Sequence, residues 1–208
     1  FLNQAIYRFT NSIYALRGQG TIRLASVNFP ASVINTFINP GGGTTEYNNT
    51  ASFTLPVAQT TYNNLTINTS GFTATQLSNI TLNGNLYVKS GTFQINNNIS
   101  VAKLTLTING NVNVDNGAFF TVGNGPTNPA IGAVVVGGVA PFLNYYTYFH
   151  TVIIKGDLTN NGTVRFTNLP FPVYNAFPPV AAGPTSGAAS VYFQGASDNT
   201  ITCNGVTN

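Results

Sequence analysis

The sequence predicts an all-β chain, a parallel β-helix (β-solenoid) with inserted loops, and three observations carry that expectation. Charged residues make up only 5% of the 208 residues, so the Glu, Lys and Arg that wet the outer face of long helices are missing. Thr, Val, Ile, Tyr and Phe dominate instead, with abundant Asn and 21 Gly, a composition of strands and turns. The third observation is internal self-similarity, the signature of stacked repeats.

Three segments align. They are Ile80-Thr-Leu-Asn-Gly84-Asn-Leu-Tyr-Val88-Lys-Ser-Gly91-Thr-Phe93-Gln-Ile95, then Leu106-Thr-Ile108-Asn-Gly110-Asn-Val112-Asn-Val114-Asp-Asn-Gly117-Ala-Phe119-Phe-Thr-Val122, then Val152-Ile-Ile154-Lys-Gly156-Asp-Leu158-Thr-Asn-Asn-Gly162-Thr-Val164-Arg-Phe166. Each reads as a strand, a Gly-Asn or Gly-Asp corner, a second strand, a Gly turn and a third strand. Alternation at Leu86 and Val88, and at Val112 and Val114, puts one row inside and one outside. Glycine at the corners is expected to supply the positive φ of a tight bend. Gly84 and Gly110 are 26 residues apart, and Gly110 and Gly156 are 46 apart. An insertion is therefore expected between Gly123 and His150.

A longer repeat is expected above this one. Thr45 to Leu55 aligns without gaps to Val191 to Ile201, and Gly20-Thr-Ile22-Arg23-Leu24 matches Gly162-Thr-Val164-Arg165-Phe166. A single unit of this size cannot bury its apolar face, and stacked neighbours can. The Asn runs at 96–98 and 160–161 fit either amide ladders between coils or plain turn propensity.

The other segments are less regular. Asn39-Pro-Gly-Gly-Gly43 reads as a turn, and the Pro-rich stretch near 169–189 reads as a loop leaving the wall. Residues 1–17 fit a short helix or a strand pair equally. Residues 1–208 thus read as a single solenoid segment with irregular excursions near 123–150 and 169–189. The chain opens on Phe1 without a signal pattern and stops partway through the longer repeat, so it reads as an internal fragment of a much longer protein. No apolar run is long enough to span a membrane.

The sequence speaks against most chemistries. The seven cations are scattered and the net charge is +3, which does not make a nucleic-acid surface. The acids are Glu46, Asp115, Asp157 and Asp198, and none forms a close pair of the kind glycoside hydrolysis uses. Asp115 lies in an Asp-Asn-Gly turn, and Asp157 takes the corner position of Asn85 and Asn111. His150 reads as ordinary strand surface and Cys203 as a small buried hydrophobe. No cofactor, metal set, phosphate loop or nucleophile motif is expected. One binding hypothesis stands out. Tyr145, Tyr146, Tyr148 and Phe149, on the inserted stretch, are candidates to stack on sugars or pack on a partner protein; the alternative is that they cover the solenoid core. Asn-x-Ser/Thr triplets at Asn48, Asn64, Asn68, Asn79, Asn98 and Asn161 are glycan acceptors only in a host that uses them.

Read from about Gly20 to Asn208, the succession of Tyr62-Asn-Asn-Leu65-Thr-Ile67, Leu82-Asn-Gly84-Asn-Leu86, Leu106-Thr-Ile108-Asn-Gly110-Asn-Val112, Gly156-Asp-Leu158-Thr-Asn-Asn-Gly162 and Asn199-Thr-Ile201-Thr-Cys203 resembles repetitive surface proteins of the Bacteroidetes. Such proteins leave the cell through the type IX secretion system and usually carry a separate C-terminal sorting domain. The resemblance implies a secreted or cell-surface location, a role in attachment or gliding, and the outer-membrane export channel as a transient partner. It implies no catalytic residues. The leading reading is an adhesive, non-enzymatic solenoid; the alternatives are a carbohydrate-active β-helix enzyme, which the acid count opposes, and a self-assembling filament subunit in which residues 1–17 complete a neighbour's sheet.

Overall fold

The computed structural model describes residues 13–97, 103–123, 150–166 and 188–207. Among them every regular element is a β-strand and none is a helix. The first part of the chain holds β1 (Ile13–Leu16), β2 (Thr21–Leu24), β3 (Ser32–Asn35), β4 (Thr44–Tyr47) and β5 (Phe53–Thr54). Next come β6 (Thr61–Tyr62) and the long β7 (Asn64–Gln76), then β8 (Ile80–Leu82) and the long β9 (Leu86–Ile95). The chain continues through β10 (Thr105–Ile108), β11 (Val112–Val114), β12 (Phe119–Val122), β13 (His150–Ile154), β14 (Leu158–Asn160) and β15 (Thr163–Arg165). It ends in β16 (Ala189–Phe193), β17 (Ile201–Cys203) and β18 (Val206–Thr207).

Every pairing is parallel, and the strands form three ladders. The first runs β6-β8-β10-β13-β16 and aligns Tyr62, Leu82, Ile108, Ile154 and Phe193. The second runs β2-β4-β7-β9-β11-β14-β17 and aligns Leu24, Tyr47, Ile67, Val88, Val114, Asn160 and Cys203. The third runs β5-β7-β9-β12-β15-β18 and aligns Phe53, Ala74, Phe93, Phe120, Val164 and Thr207. β7 and β9 pass through both the second and the third. From β4 onward the chain visits the second, third and first ladders in turn, again and again. The fold is thus all-β with parallel strands in stacked sheets, an arrangement compatible with the β-helix expected from the sequence. A separate parallel pair, β1 with β3, precedes the stack.

Parallel strands are commonly apolar on both faces because helices cover them. Here they alternate: β13 is buried at His150, Val152 and Ile154, and half-buried at Thr151 and Ile153. The buried rows of the three ladders meet in one core. Identical register makes like sit on like. Phe120 stacks on Phe93 with centroids 5.5 Å apart and meets Phe166 edge-on at 4.9 Å. Tyr47 and Tyr62 share a buried hydroxyl contact of 3.3 Å. Burial raises the pKa of both hydroxyls, that of Tyr62 to about 12, so the pair is neutral.

The register corrects several sequence expectations. The 26-residue match of Gly84 with Gly110 holds, since Leu86 pairs with Val112. One extra residue then enters before the next strand, so Phe93 pairs with Phe120 rather than with Phe119. The longer repeat is not structural. β4 and β2 stand in the second ladder, whereas their sequence matches β16 and β15 stand in the first and third. Strands of all three walls share one alternating grammar, so a match in composition does not specify the wall. Of residues 1–17, Ile13–Leu16 form a strand and 1–12 lie outside the described residues.

Candidate functional site

The corner between the first and second ladders is the most regular polar feature. The side-chain Oδ1 of Asn64 accepts the N–H of Asn85 at 2.8 Å, and Oδ1 of Asn85 accepts the N–H of Asn111 at 2.7 Å. Oδ1 of Asn111 accepts the N–H of Asp157 at 2.9 Å, and Oδ1 of Asp157 accepts that of Thr200 at 2.8 Å. Side chains thereby take the one N–H at the bend that the backbone ladder leaves over, while the neighbouring glycine N–H groups and the corner carbonyls stay in backbone bonds between passes. The glycine before Asn85, Asn111 and Asp157 is required by this packing. A Cβ on Gly84, Gly110 or Gly156 would overlap the Oδ1 of Asn64, Asn85 or Asn111. None of the three has positive φ, which corrects the expected reason for glycine there; positive φ occurs at Gly91 and Gly117 instead. Besides this corner, the expected Asn contacts between passes occur in the 160–161 run, where Asn160 Nδ2 donates to the Val206 carbonyl at 2.8 Å and to Thr207 Oγ1 at 3.0 Å. Of the Asn runs, Asn161 receives the amide of Asn204 at 2.9 Å, and Asn98 lies outside the described residues.

The corner between the third and first ladders is where the long connections occur. After Gly123 the next described residue is His150, and after Phe166 it is Ala188. The expected aromatic site, Tyr145, Tyr146, Tyr148 and Phe149, lies outside the described residues, as does most of the Pro-rich excursion. At this corner side chains replace missing rungs. Gln76 Nε2 donates to the carbonyls of Ser78 and Thr105, at 2.9 and 3.1 Å, and Asn79 Oδ1 accepts the N–H of Thr105 at 2.8 Å. From above, His150 Nδ1 accepts the N–H of Leu104 at 3.0 Å. His150 is fully buried, not on the strand surface as expected, and burial lowers its pKa to about 4. With Nδ1 accepting, the proton resides on Nε2, which has no partner among the described residues.

Three of the four acids bond to residues of a neighbouring pass. Glu46 accepts Arg23 Nε at 3.2 Å and Asn68 Nδ2 at 3.0 Å, and Ser90 extends the chain by donating to Asn68 Oδ1 at 2.8 Å. Asp115 accepts the Tyr87 hydroxyl at 2.6 Å, a bond that together with burial and the nearby charge raises the Tyr87 pKa. Asp157 belongs to the corner ladder, and Asp198 is exposed. The register puts Glu46 level with Thr66, Tyr87 and Asn113 in successive strands, so its backbone is at least about 14 Å from that of Asp115. Cys203 is a free, exposed thiol rather than a buried one; it takes the register place of Asn160, Val114 and Val88 in the last strand of the ladder. Among the described residues no group of three His, Cys, Asp or Glu side chains could hold a metal ion, and no helix is long and apolar enough to cross a membrane. Comparison of the chain with protein-family models, curated proteins and solved structures finds no match.

Proposed function

We propose that this chain is a β-solenoid segment of an extracellular, surface-exposed protein, and that it serves attachment or display without catalysis. The observation that carries the reading is the order of the three ladders, which repeats on each pass from β4 onward, with side-chain bonds sealing the corners between them. Such a stack grows along one axis, contacts only its neighbours, and offers a long outer face. That face consists largely of hydroxyls, amides and tyrosines, which suits recognition of neutral partners such as surface glycans or another protein. The acids support the non-catalytic part, because Glu46, Asp115 and Asp157 are each engaged in bonds that tie strand to strand. Export through the type IX outer-membrane channel, with that channel as a transient partner, completes the proposal and rests on the resemblance of the repeats. The long connections between the third and first ladders, with Tyr145, Tyr146, Tyr148 and Phe149, are proposed as the binding element.

Two measurements test it. Beads coated with the chain should be retained on glycan-bearing or protein-coated surfaces, and alanine at the four aromatic positions should reduce retention. Polysaccharide digests should release no reducing ends. Release that disappears on replacing Glu46, Asp115, Asp157 or Asp198 by the matching amide would overturn the reading in favour of a carbohydrate-active enzyme.

A further inference from the structure

Asn-Gly is the dipeptide whose side-chain amide is most readily lost, because glycine leaves the following nitrogen open to attack the Asn carbonyl. The chain carries it at Asn83, Asn109, Asn116, Asn124, Asn161 and Asn204, all but Asn124 within the described residues. At four of these five the glycine N–H is already bonded. Gly84 donates to the Asn63 carbonyl at 2.8 Å and Gly110 to that of Gly84 at 2.9 Å. Gly162 donates to Asn160 Oδ1 at 3.0 Å and Gly205 to the Asn160 carbonyl at 3.0 Å.

Asn116-Gly117 differs in every respect that matters. Both residues are exposed, and neither the Gly117 N–H nor the Asn116 side chain has a hydrogen-bond partner among the described residues. They are the two central residues of a turn closed by the Ala118 N–H to the Asp115 carbonyl at 3.0 Å. Gly117 has φ of 78° and Asn116 is not at positive φ, the type II pattern. No atom beyond the chain neighbours lies within 4 Å of where a Gly117 Cβ would stand, so water and base reach the amide.

We infer that Asn116 is a site of spontaneous deamidation, singled out by the fold from the other four. A solvent base takes the Gly117 amide proton, and the nitrogen bonds to Asn116 Cγ. The Cγ–Nδ2 bond breaks, and the nitrogen leaves as ammonia after taking up a proton. The cyclic imide then adds one water. Opening at Cγ gives aspartate, and opening at the main-chain carbonyl gives isoaspartate; no oxidant or other reactant is needed. Either product places a second carboxylate beside Asp115. Isoaspartate also lengthens the turn that joins β11 to β12.

The test is incubation of the folded chain in mildly alkaline buffer, with peptide mapping for the mass gain of amide-to-carboxyl exchange. Exchange at Asn116 should outpace that at Asn83, Asn109, Asn161 and Asn204 by more than about tenfold, since the latter must first open locally. In strong urea the five sites should converge, which shows that the fold imposes the order. Asn116→Gln should abolish the fast event without moving the others. Equal rates at the five sites in the folded chain, or faster loss at any other of them, would overturn the inference.

Discussion

An imidazole enclosed in a core has two ring nitrogens to satisfy, and His150 satisfies one by accepting the Leu104 N–H. The bond requires the neutral ring, and burial lowers the pKa from 6.5 to about 4. A base whose folded pKa is depressed binds fewer protons folded than unfolded between those values. The part of the stability that depends on neutral His150 is therefore complete above 6.5, falls as pH drops from 6.5 toward 4, and levels off below. The loss amounts to roughly 3 kcal/mol at about 1.4 kcal/mol per unit. His150→Gln keeps an acceptor for Leu104 and removes the titration. Urea midpoints at neutral pH and near pH 4.5 should separate widely in the wild type and less in the variant; equal separations would remove the assignment. None of this was legible beforehand, because a histidine at the head of an alternating strand points inward or outward depending on a register that one residue reverses. The corner glycines were legible as corners. Their reason was not, since it lies in the Asn side chain of the preceding pass.

At the scale of the element, the third ladder shows what parallel register does to a core. Phe53, Ala74, Phe93, Phe120 and Val164 lie one above another, so each packs on the residue before and after it. Phe120 touches aromatic rings on both sides. Phe120→Ala should cost about 3–5 kcal/mol, the range for deleting a buried aromatic ring. Phe119→Ala one position earlier, where the ring is 45% exposed, should cost well under half as much. Chemical unfolding of the two variants checks the pair, and equal losses would mean that the ladder is out of register by one. That comparison bears directly on how far elements could be read from sequence. The strands from Ile80 to Val122 were recognisable by alternation and by glycine spacing. The one-residue step between Gly117 and Phe120 was not, because two adjacent Phe residues satisfy the pattern equally well. The match of Thr45–Leu55 to Val191–Ile201 failed for a related reason: alternation identifies a strand and leaves its ladder open.

Taken whole, the stack is held by repetition along one direction, with few ions involved. The Arg23–Glu46 pair lies partly in solvent, with Arg23 45% exposed, so it adds little. In such an array stability is a sum of nearest-neighbour terms, and protection depends on how many neighbours a strand has. β9 pairs with β7 on one side and with β11 and β12 on the other, and its inward residues are completely enclosed. Among the described residues β17 and β18 each pair on one side only, and Ile201 and Val206 are 52% and 56% exposed although Leu158, the partner of Ile201, is buried. Amide hydrogen exchange should therefore be slowest in β9 to β12 and fastest in β17, β18 and the isolated β1–β3 pair. Phe120→Ala should speed exchange in β9, β12 and β15 before it reaches β4. A single cooperative rate across all strands would contradict this, because it would require contacts that bypass the neighbouring strands, and the ladders supply none of them among the described residues.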